Sequence, residues 1–414
     1  MNDRFSPAVA ASLPDGVRRQ SVATQAADAG WPSTETEEWR YSPIGELAFD
    51  QLGPSLAAPS GAAPDWALDD RAATVTVLDG WVVDIAVGPG WADKGLEITA
   101  GDTMGLTVAS SPADEVTVFD LLHQAFSPGP LVVRVPTGLR VQDPIVILNH
   151  HRTPGAVSFA HVVIEAGEGA DVTVVERQSS VGGLALSVPL VELRVAPAAR
   201  LQYQMIQDLD RQHWQLGRQR SSVDGQATLV SGIAAFGARY ARLRTDCRLV
   251  GRGASANLVA AYYGDGDQIH DFRTFQHHDA RNTRSDLLFK GAQDDSSGSI
   301  YTGMIHIHPD GAGSNAFQTN RNIKLSPQAW AWSVPNLEIE NNDVRCSHAS
   351  TVSPVDEDQR FYLQSRGVPP LVADRLIVAG FFDEVIDRFP VEALRGQIRR
   401  LIADKLDRRE GSHD

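Results

Sequence analysis

Ala166-Gly167-Glu168-Gly169-Ala170-Asp171-Val172, Ala196-Pro197-Ala198-Ala199-Arg200-Leu201, Asp224-Gly225-Gln226-Ala227-Thr228-Leu229 and Gly251-Arg252-Gly253-Ala254-Ser255-Ala256 read as four versions of one turn. Aligned, they put a small residue at 170, 199, 227 and 254, at spacings of 29, 28 and 27. Most are preceded by a short apolar strand, such as Val162 to Glu165 or Val191 to Val195, and followed by another, such as Val172 to Val175 or Leu201 to Ile206. A weaker echo continues at Asp279-Ala280 and at Gly311-Ala312-Gly313-Ser314. One such unit cannot bury its apolar face alone, but a stack of them can. Strand, tight turn, strand, repeated about every 28 residues, therefore predicts a parallel β-solenoid. The competing reading is an antiparallel sandwich whose turns happen to recur at this interval.

Around this core the texture changes twice. From about Ala73 to Thr351 short β-branched runs recur, among them Thr74-Val75-Thr76-Val77-Leu78 and Leu131-Val132-Val133-Arg134-Val135, each closed by Gly, Pro or Asp. Before it, residues 1–70 are mixed: Gly16 to Ala27 reads as helix, Thr34-Glu35-Thr36-Glu37 as a capping box, and Pro54 to Pro64 as a turn-rich connector. After Thr351 the period turns helical. Asp356 caps Glu357 to Gln364, Val372 to Ile386 repeats apolar residues at i and i+4, and Pro390 opens a last helix to about Asp407. The expected organisation is a leading region at 1–70, a β-helix core at 71–351 and a helical region at 352–414.

Composition narrows the function. The 414 residues carry 37 Lys and Arg against 52 Asp and Glu, a net charge of −15, which disfavours nucleic acid and anionic membranes as partners. No apolar run approaches the roughly 18 residues of a membrane span. The two cysteines, Cys247 and Cys346, are too few for a disulfide framework, a zinc ribbon or a four-cysteine cluster site. The opening Met1-Asn2-Asp3-Arg4-Phe5-Ser6 lacks a secretory pattern, so a reducing cytosol is the expected compartment.

Phosphate-loop, nucleophile-elbow and HExxH patterns are absent, and the GxG triplets read as coil turns. Metal-type groups gather late, at His277-His278, His306-x-His308 and Cys346-x-His348. Residues i and i+2 of a strand share a face, so His306 with His308, and Cys346 with His348, each present two donor atoms side by side. His277 and His278 point to opposite faces, and Cys247 reads as a small buried thiol. Gln318, Asn320 and Asn322 also share one face, where amides can stitch strands together as a structural ladder.

Four spaced blocks carry a more specific signal: Gln318-Thr319-Asn320-Arg321-Asn322-Ile323-Lys324-Leu325-Ser326, Pro335-Asn336-Leu337-Glu338-Ile339, Asp343-Val344-Arg345-Cys346-Ser347-His348-Ala349-Ser350-Thr351-Val352, and Phe361-Tyr362-Leu363-Gln364-Ser365-Arg366-Gly367-Val368. Together they resemble the C-terminal signature of the SufB/SufD family, the scaffold subunits of the SUF iron–sulfur cluster assembly machinery. Pro32 to Pro43, with Glu38-Trp39-Arg40-Tyr41, is similar to the family's N-terminal block, and Gly129 to Pro144 to the start of its β-helix, so the resemblance spans nearly the whole chain. Cys346-Ser347-His348 resembles the SufD branch more than the SufB branch. Ala349-Ser350-Thr351 departs from the Gly-Ala-Thr usual in the family, with small residues kept.

The resemblance implies a right-handed parallel β-helix between helical termini and a non-catalytic SufD-like scaffold that pairs with a SufB-like paralogue. It implies a SufC-type ATPase partner that supplies ATP hydrolysis, sulfur-donor and acceptor proteins, a nascent iron–sulfur cluster held transiently at Cys346 and His348 with the paralogue, and the FAD associated with some family complexes. Arg345 and His348 are the neighbours at hand to hold the Cys346 thiolate. Leu371, Leu376, Ile377, Phe381 and Phe382 are the expected ATPase-docking residues, and removing 356–414 is expected to abolish docking while leaving the solenoid folded. The strands around Asn336 to Cys346 are the expected pairing edge. The alternative function is a metal-dependent β-solenoid or cupin-like enzyme using His306 and His308.

Overall fold

The computed structural model describes residues 2–66, 68, 70–101 and 116–411; the part of the strand-like stretch at 102–115 lies outside them. Among these residues the chain winds into a parallel β-solenoid with helices at both ends. One sheet holds twelve strands, nine of them on a path from Glu97–Ala100 to Trp330–Ile339, and the other holds ten, from the Trp81–Val87 hairpin to Arg345–Pro354. Successive turns of the solenoid pair in parallel: Arg200 lies beside Asp171, Thr228 beside Arg200, and Ser255 beside Thr228. Those offsets are the spacings of the small-residue turns, and parallel pairing excludes the antiparallel sandwich.

Each turn owes its shape to the residue just before the small one. Gly169, Ala198, Gln226, Gly253, Asn282 and Gly313 all have positive φ, so the chain reverses tightly there and the next side chain points inward. The inward residues Ala170, Ala199, Ala227, Ala254, Thr283 and Ser314 are all buried. The echo read at Asp279-Ala280 is centred on Thr283 instead. Its Oγ1 lies 2.7 Å from Ser314 Oγ, so a hydroxyl pair replaces stacked methyl groups and hides the repeat from an alanine-based alignment. Amides of successive turns also bond, as in Ala198 N to Gly225 O and Gln226 N to Arg252 O.

Over their middle strands both sheets are covered on both faces, which is why those strands read as apolar runs, whereas Asn315–Lys324 alternates and the last strands are largely exposed. The solenoid interior is filled from Val75 and Ile147 through Leu201 and Leu258 to Phe289. Outside the second sheet lie α5 (Pro370–Ile386) and α6 (Glu392–Gly411). Phe382 and Ile386, then Leu394, Ile398, Ile402 and Leu406 at a four-residue interval, pack on Val175, Ile206, Val259 and Leu288. Outside the first sheet lie α1 (Pro7–Ala11), α2 (Gly16–Ala29) and α3 (Val118–Phe126), which with the 3-10 turn Asp3–Phe5 bury Phe5, Ala10, Val22, Phe119 and Phe126 in one cluster with Trp214 and Ile300. No helix among the described residues is long and apolar enough to cross a membrane.

The Glu38-Trp39-Arg40-Tyr41 block is fastened to this sheet by a buried clasp. Asp271 accepts from Arg242 Nε at 2.8 Å, the Arg242 guanidinium lies 3.6 Å above the Trp39 ring, and its Nη2 donates to the Glu38 carbonyl at 3.0 Å. Tyr41 stacks on Trp332 at 4.6 Å. The expected capping box is not made: Thr36 donates its hydroxyl to Ser33 O, and only a single 3-10 turn, Glu37–Trp39, follows. The clasp holds the block in place of a helix.

Candidate functional site

The two ends of the solenoid differ. At its start, Ala73–Leu78 and Trp81–Val87 form an antiparallel hairpin through Asp79-Gly80, both at positive φ, and Glu97–Ala100 also pairs antiparallel with Pro130–Val135. At its other end, Trp330–Ile339 and Arg345–Pro354 are the last strands of their sheets, with no strand on their outer edges among the described residues. Free ladder donors and acceptors are an invitation to pair. Leu337, Ile339 and Val352 are exposed on these same strands.

Cys346 and His348 lie on the second of these strands, opposite Ala316 and Gln318. Those two neighbours are buried inside the solenoid, so the two-residue alternation puts Cys346 and His348 on the interior row of the uncovered last turn. Cys346 is half-buried against Ile305, Ile307, Ala316 and Val344. Burial alone pushes its thiol up to about 11; neither Arg345 nor His348 contributes. The help expected from those two residues is therefore missing in the single chain. His348 is exposed. Cys247 lies deep in the core, its thiol also raised to about 11, chiefly by burial.

Gln318, Asn320 and Asn322 share the interior face just behind this row and are buried. They do not form an amide ladder between neighbouring strands. The Tyr262 hydroxyl donates to Asn322 Oδ1 at 2.9 Å and accepts from Asn320 Nδ2 at 3.0 Å, while Asn322 donates to Asn320 Oδ1 at 2.9 Å. Tyr262 reaches across the intervening turn because residue 291, between it and Asn322 in register, is glycine. The interior behind the site is thus a polar plug, in which Gln318 Oε1 accepts from Gln276 Nε2 at 3.4 Å.

The expected docking residues separate by depth. Leu371 and Leu376 are exposed, Ile377 and Phe381 are half-buried, and Phe382 is fully buried against the second sheet and closed to a partner. Phe361 and Tyr362 of α4 (Glu357–Ser365) are exposed at 73% and 58%, on a helix with no buried residue that is tied to α5 by the Arg360–Asp374 fork. Both belong to the 361–368 block, where sequence alone does not mark them as exposed. A groove of about 820 Å³ runs between α4, α5 and the last strand, lined by Tyr362, Leu376, Phe381, Thr351 and Ser353. Because α5 and α6 cover the outer sheet face, removing 356–414 would uncover Val175, Ile206, Val259 and Leu288, contrary to the expectation of an intact solenoid.

His306 and His308 meet on the opposite face of their strand from Ile305 and Ile307, with ring centroids 3.7 Å apart, and His277 joins them at 5.7 Å from each. They do not meet Cys346 or His348. Among the described residues the clusters of three ligand-type groups are His277, His306 and His308, and His306, Glu338 and Glu340, so Cys346 and His348 stand as a pair.

Comparison with known proteins gives a concordant result. The SUF system FeS cluster assembly SufBD core domain matches residues 147–381. An iron–sulfur cluster assembly SufBD family protein of Mycobacterium bovis is 30% identical over 386 residues, covering 91% of this chain and 89% of that protein. Iron–sulfur cluster assembly protein SufD of Escherichia coli is 25% identical over 405 residues, covering 95% and 94%. SufD of Bacillus subtilis is 28% identical over 290 residues, covering 69% and 66%.

Proposed function

This chain belongs to the SufB/SufD family of the SUF iron–sulfur cluster assembly system, and from that membership we propose that it is a SufD-like scaffold subunit completed by a SufB-like paralogue. The observation that carries the reading is the position of Cys346 and His348, two residues apart on a terminal strand whose outer edge is unpaired among the described residues. A thiolate and an imidazole are the donor types that suit iron–sulfur chemistry, and two are too few to hold a cluster. The paralogue adds the remaining ligands when its own last turn docks beside Arg345–Pro354, giving a shared site from which a nascent cluster is released.

The raised thiol gives the pairing a chemical role. Alone, Cys346 is a protonated, weak ligand; iron or a cation brought by the partner draws off its proton and turns it into a donor. Exposed Leu371 and Leu376, with Phe361 and Tyr362 beside them, support the 352–414 region as the dock of a SufC-type ATPase. ATP hydrolysis then belongs to that subunit and acts on the site by moving the docked helices. Two free cysteines fit work in a reducing cytosol; FAD, sulfur-donor and acceptor proteins enter through the assembled complex.

The test is purification of the complex from the protein's own cells, beside cluster-enzyme activity in the same strains. His348→Ala is expected to impair assembly with the complex intact, Cys346→Ser to be milder, and Cys247→Ser silent. Full cluster assembly in the His348→Ala strain would refute the site.

A further inference from the structure

Across three neighbouring strands of the first sheet, His277, His306 and Glu338 occupy one register position. His308 follows two residues after His306, on the same side, and Glu340 two residues after Glu338. Parallel stacking therefore gathers three imidazoles and two carboxylates from chain segments more than sixty positions apart into one patch on the outer face of the last turns.

The spacing inside this patch is informative. His277 Nδ1 and His308 Nε2 are 3.4 Å apart. That is the long end for a hydrogen bond, N–H···O bonds spanning about 2.7–3.2 Å. It is the separation of two ligands on one tetrahedral ion: with metal–nitrogen bonds of about 2.0–2.1 Å, the nitrogens lie about 3.3–3.4 Å from each other. Ligand nitrogens of all three histidines fall within 4.8 Å of one another.

The surroundings resemble the support of a metal site. His306 Nε2 lies 2.6 Å from Glu340 Oε1, the carboxylate–imidazole pairing that fixes a ring and its tautomer. Asp279 lies 3.2 Å from His308 Nε2, on the ligand side of that ring, and is held there by Arg248 through bonds of 3.0 and 2.9 Å, so it is a carboxylate placed for the fourth position. The three half-buried rings lie with centroids 3.7 and 5.7 Å apart, close enough for their nitrogens to converge on one point.

We propose that His277, His306 and His308 bind one divalent first-row transition-metal ion, with a neighbouring carboxylate or water in the fourth position. The ion would clip the Gly298–Ile307 turn of the solenoid to the turn before it. This site is distinct from Cys346 and His348, which face the interior.

Co²⁺ tests it, because its visible absorption reports ligand number and type. The full chain is titrated in a Cys346→Ser, His348→Ala background, which removes the donors of the candidate cluster site and leaves only Cys247 as a thiol, buried in the core. The expected result is one Co²⁺ per chain, displaced by Zn²⁺, with the visible band of a four- or five-coordinate nitrogen-rich site. Loss of a supporting residue around a metal ligand typically weakens binding about 10–100-fold, so His277→Ala and His308→Ala, which remove ligands, should each weaken it by more than about 100-fold. Unchanged circular dichroism and melting of the metal-free variants separate ligand loss from misfolding, and a variant that fails to fold is replaced by His306→Gln, on the outer face. No stoichiometric Co²⁺ in the background chain, or undiminished affinity in His277→Ala or His308→Ala, overturns the proposal.

Discussion

The Cys346 thiol offers the most direct test of how burial and function are joined. Its ordinary value of 9.0 is raised to about 11 by burial against Ile305, Ile307, Ala316 and Val344. Below both values the thiolate fraction falls tenfold for each unit, so at neutral pH the isolated chain carries about 100-fold less Cys346 thiolate than an unshifted cysteine would. Alkylation by iodoacetamide, followed peptide by peptide in a mass spectrometer, should be about 100-fold slower at Cys346 than in the urea-unfolded chain and should climb with pH through about 11. The slow rate is expected of the chain alone, and docking of the paralogue or addition of Fe²⁺ should change it. The folded value lies above the unfolded one, so the protonated thiol's contribution to stability is fully present below pH 9 and is lost as the pH rises through about 11. A rate that levels off near pH 8 to 9 in the folded chain would refute this account and leave the thiolate available without a partner.

Three further outcomes follow from the packing. Phe382→Ala, in a fully buried position between α5 and the second sheet, should cost about 3–5 kcal/mol in urea unfolding, whereas Leu376→Asp, on the exposed side, should change stability by less than about 0.5 kcal/mol and weaken only ATPase binding in a pull-down. Asp271→Ala should cost about 3–5 kcal/mol by taking the buried carboxylate from both Arg242 and Arg273 and leaving Arg242 only the more exposed Glu38. In the wild type, burial acts to raise the Asp271 carboxyl, but Arg242 and Arg273 outweigh it and hold it below 3.8, so its contribution is present above that value and is lost as the pH falls through the lower folded one; an acid melt that matches the variant's would contradict this. Gly291→Ala would set a Cβ 2.1 Å from the Tyr262 ring, so Tyr262 must leave Asn322, and melting should drop by the cost of an overpacked core, about 1–3 kcal/mol.

The architecture was legible in the sequence because a solenoid writes its geometry as a period. Ala170, Ala199, Ala227 and Ala254 stand one turn apart in both the chain and the structure. Two-residue alternation likewise put Cys346 with His348, His306 with His308, and Gln318 with Asn320 and Asn322 on common faces, and helical periodicity marked α5 and α6. Such regularities are local, so local sequence carries them. Depth and company were decided by tertiary structure. Phe382 and Leu376 look alike in an apolar helix, and only the sheet beneath α5 makes one core and the other surface. His277 joins His306 because a 29-residue turn length brings the two into register, and Tyr262 reaches Asn322 over Gly291 because stacking puts the three in one column. The late turns are longer, with Asn315 pairing 31 residues after Arg284, Trp330 pairing 32 after Gly298 and Arg345 pairing 30 after Asn315, so a fixed period loses its phase where the candidate site lies. Which strands stay uncovered is a property of the whole stack: each strand carries the same donors and acceptors, and only the place of Arg345–Pro354 at the end of the second sheet leaves Cys346 and His348 at an open edge.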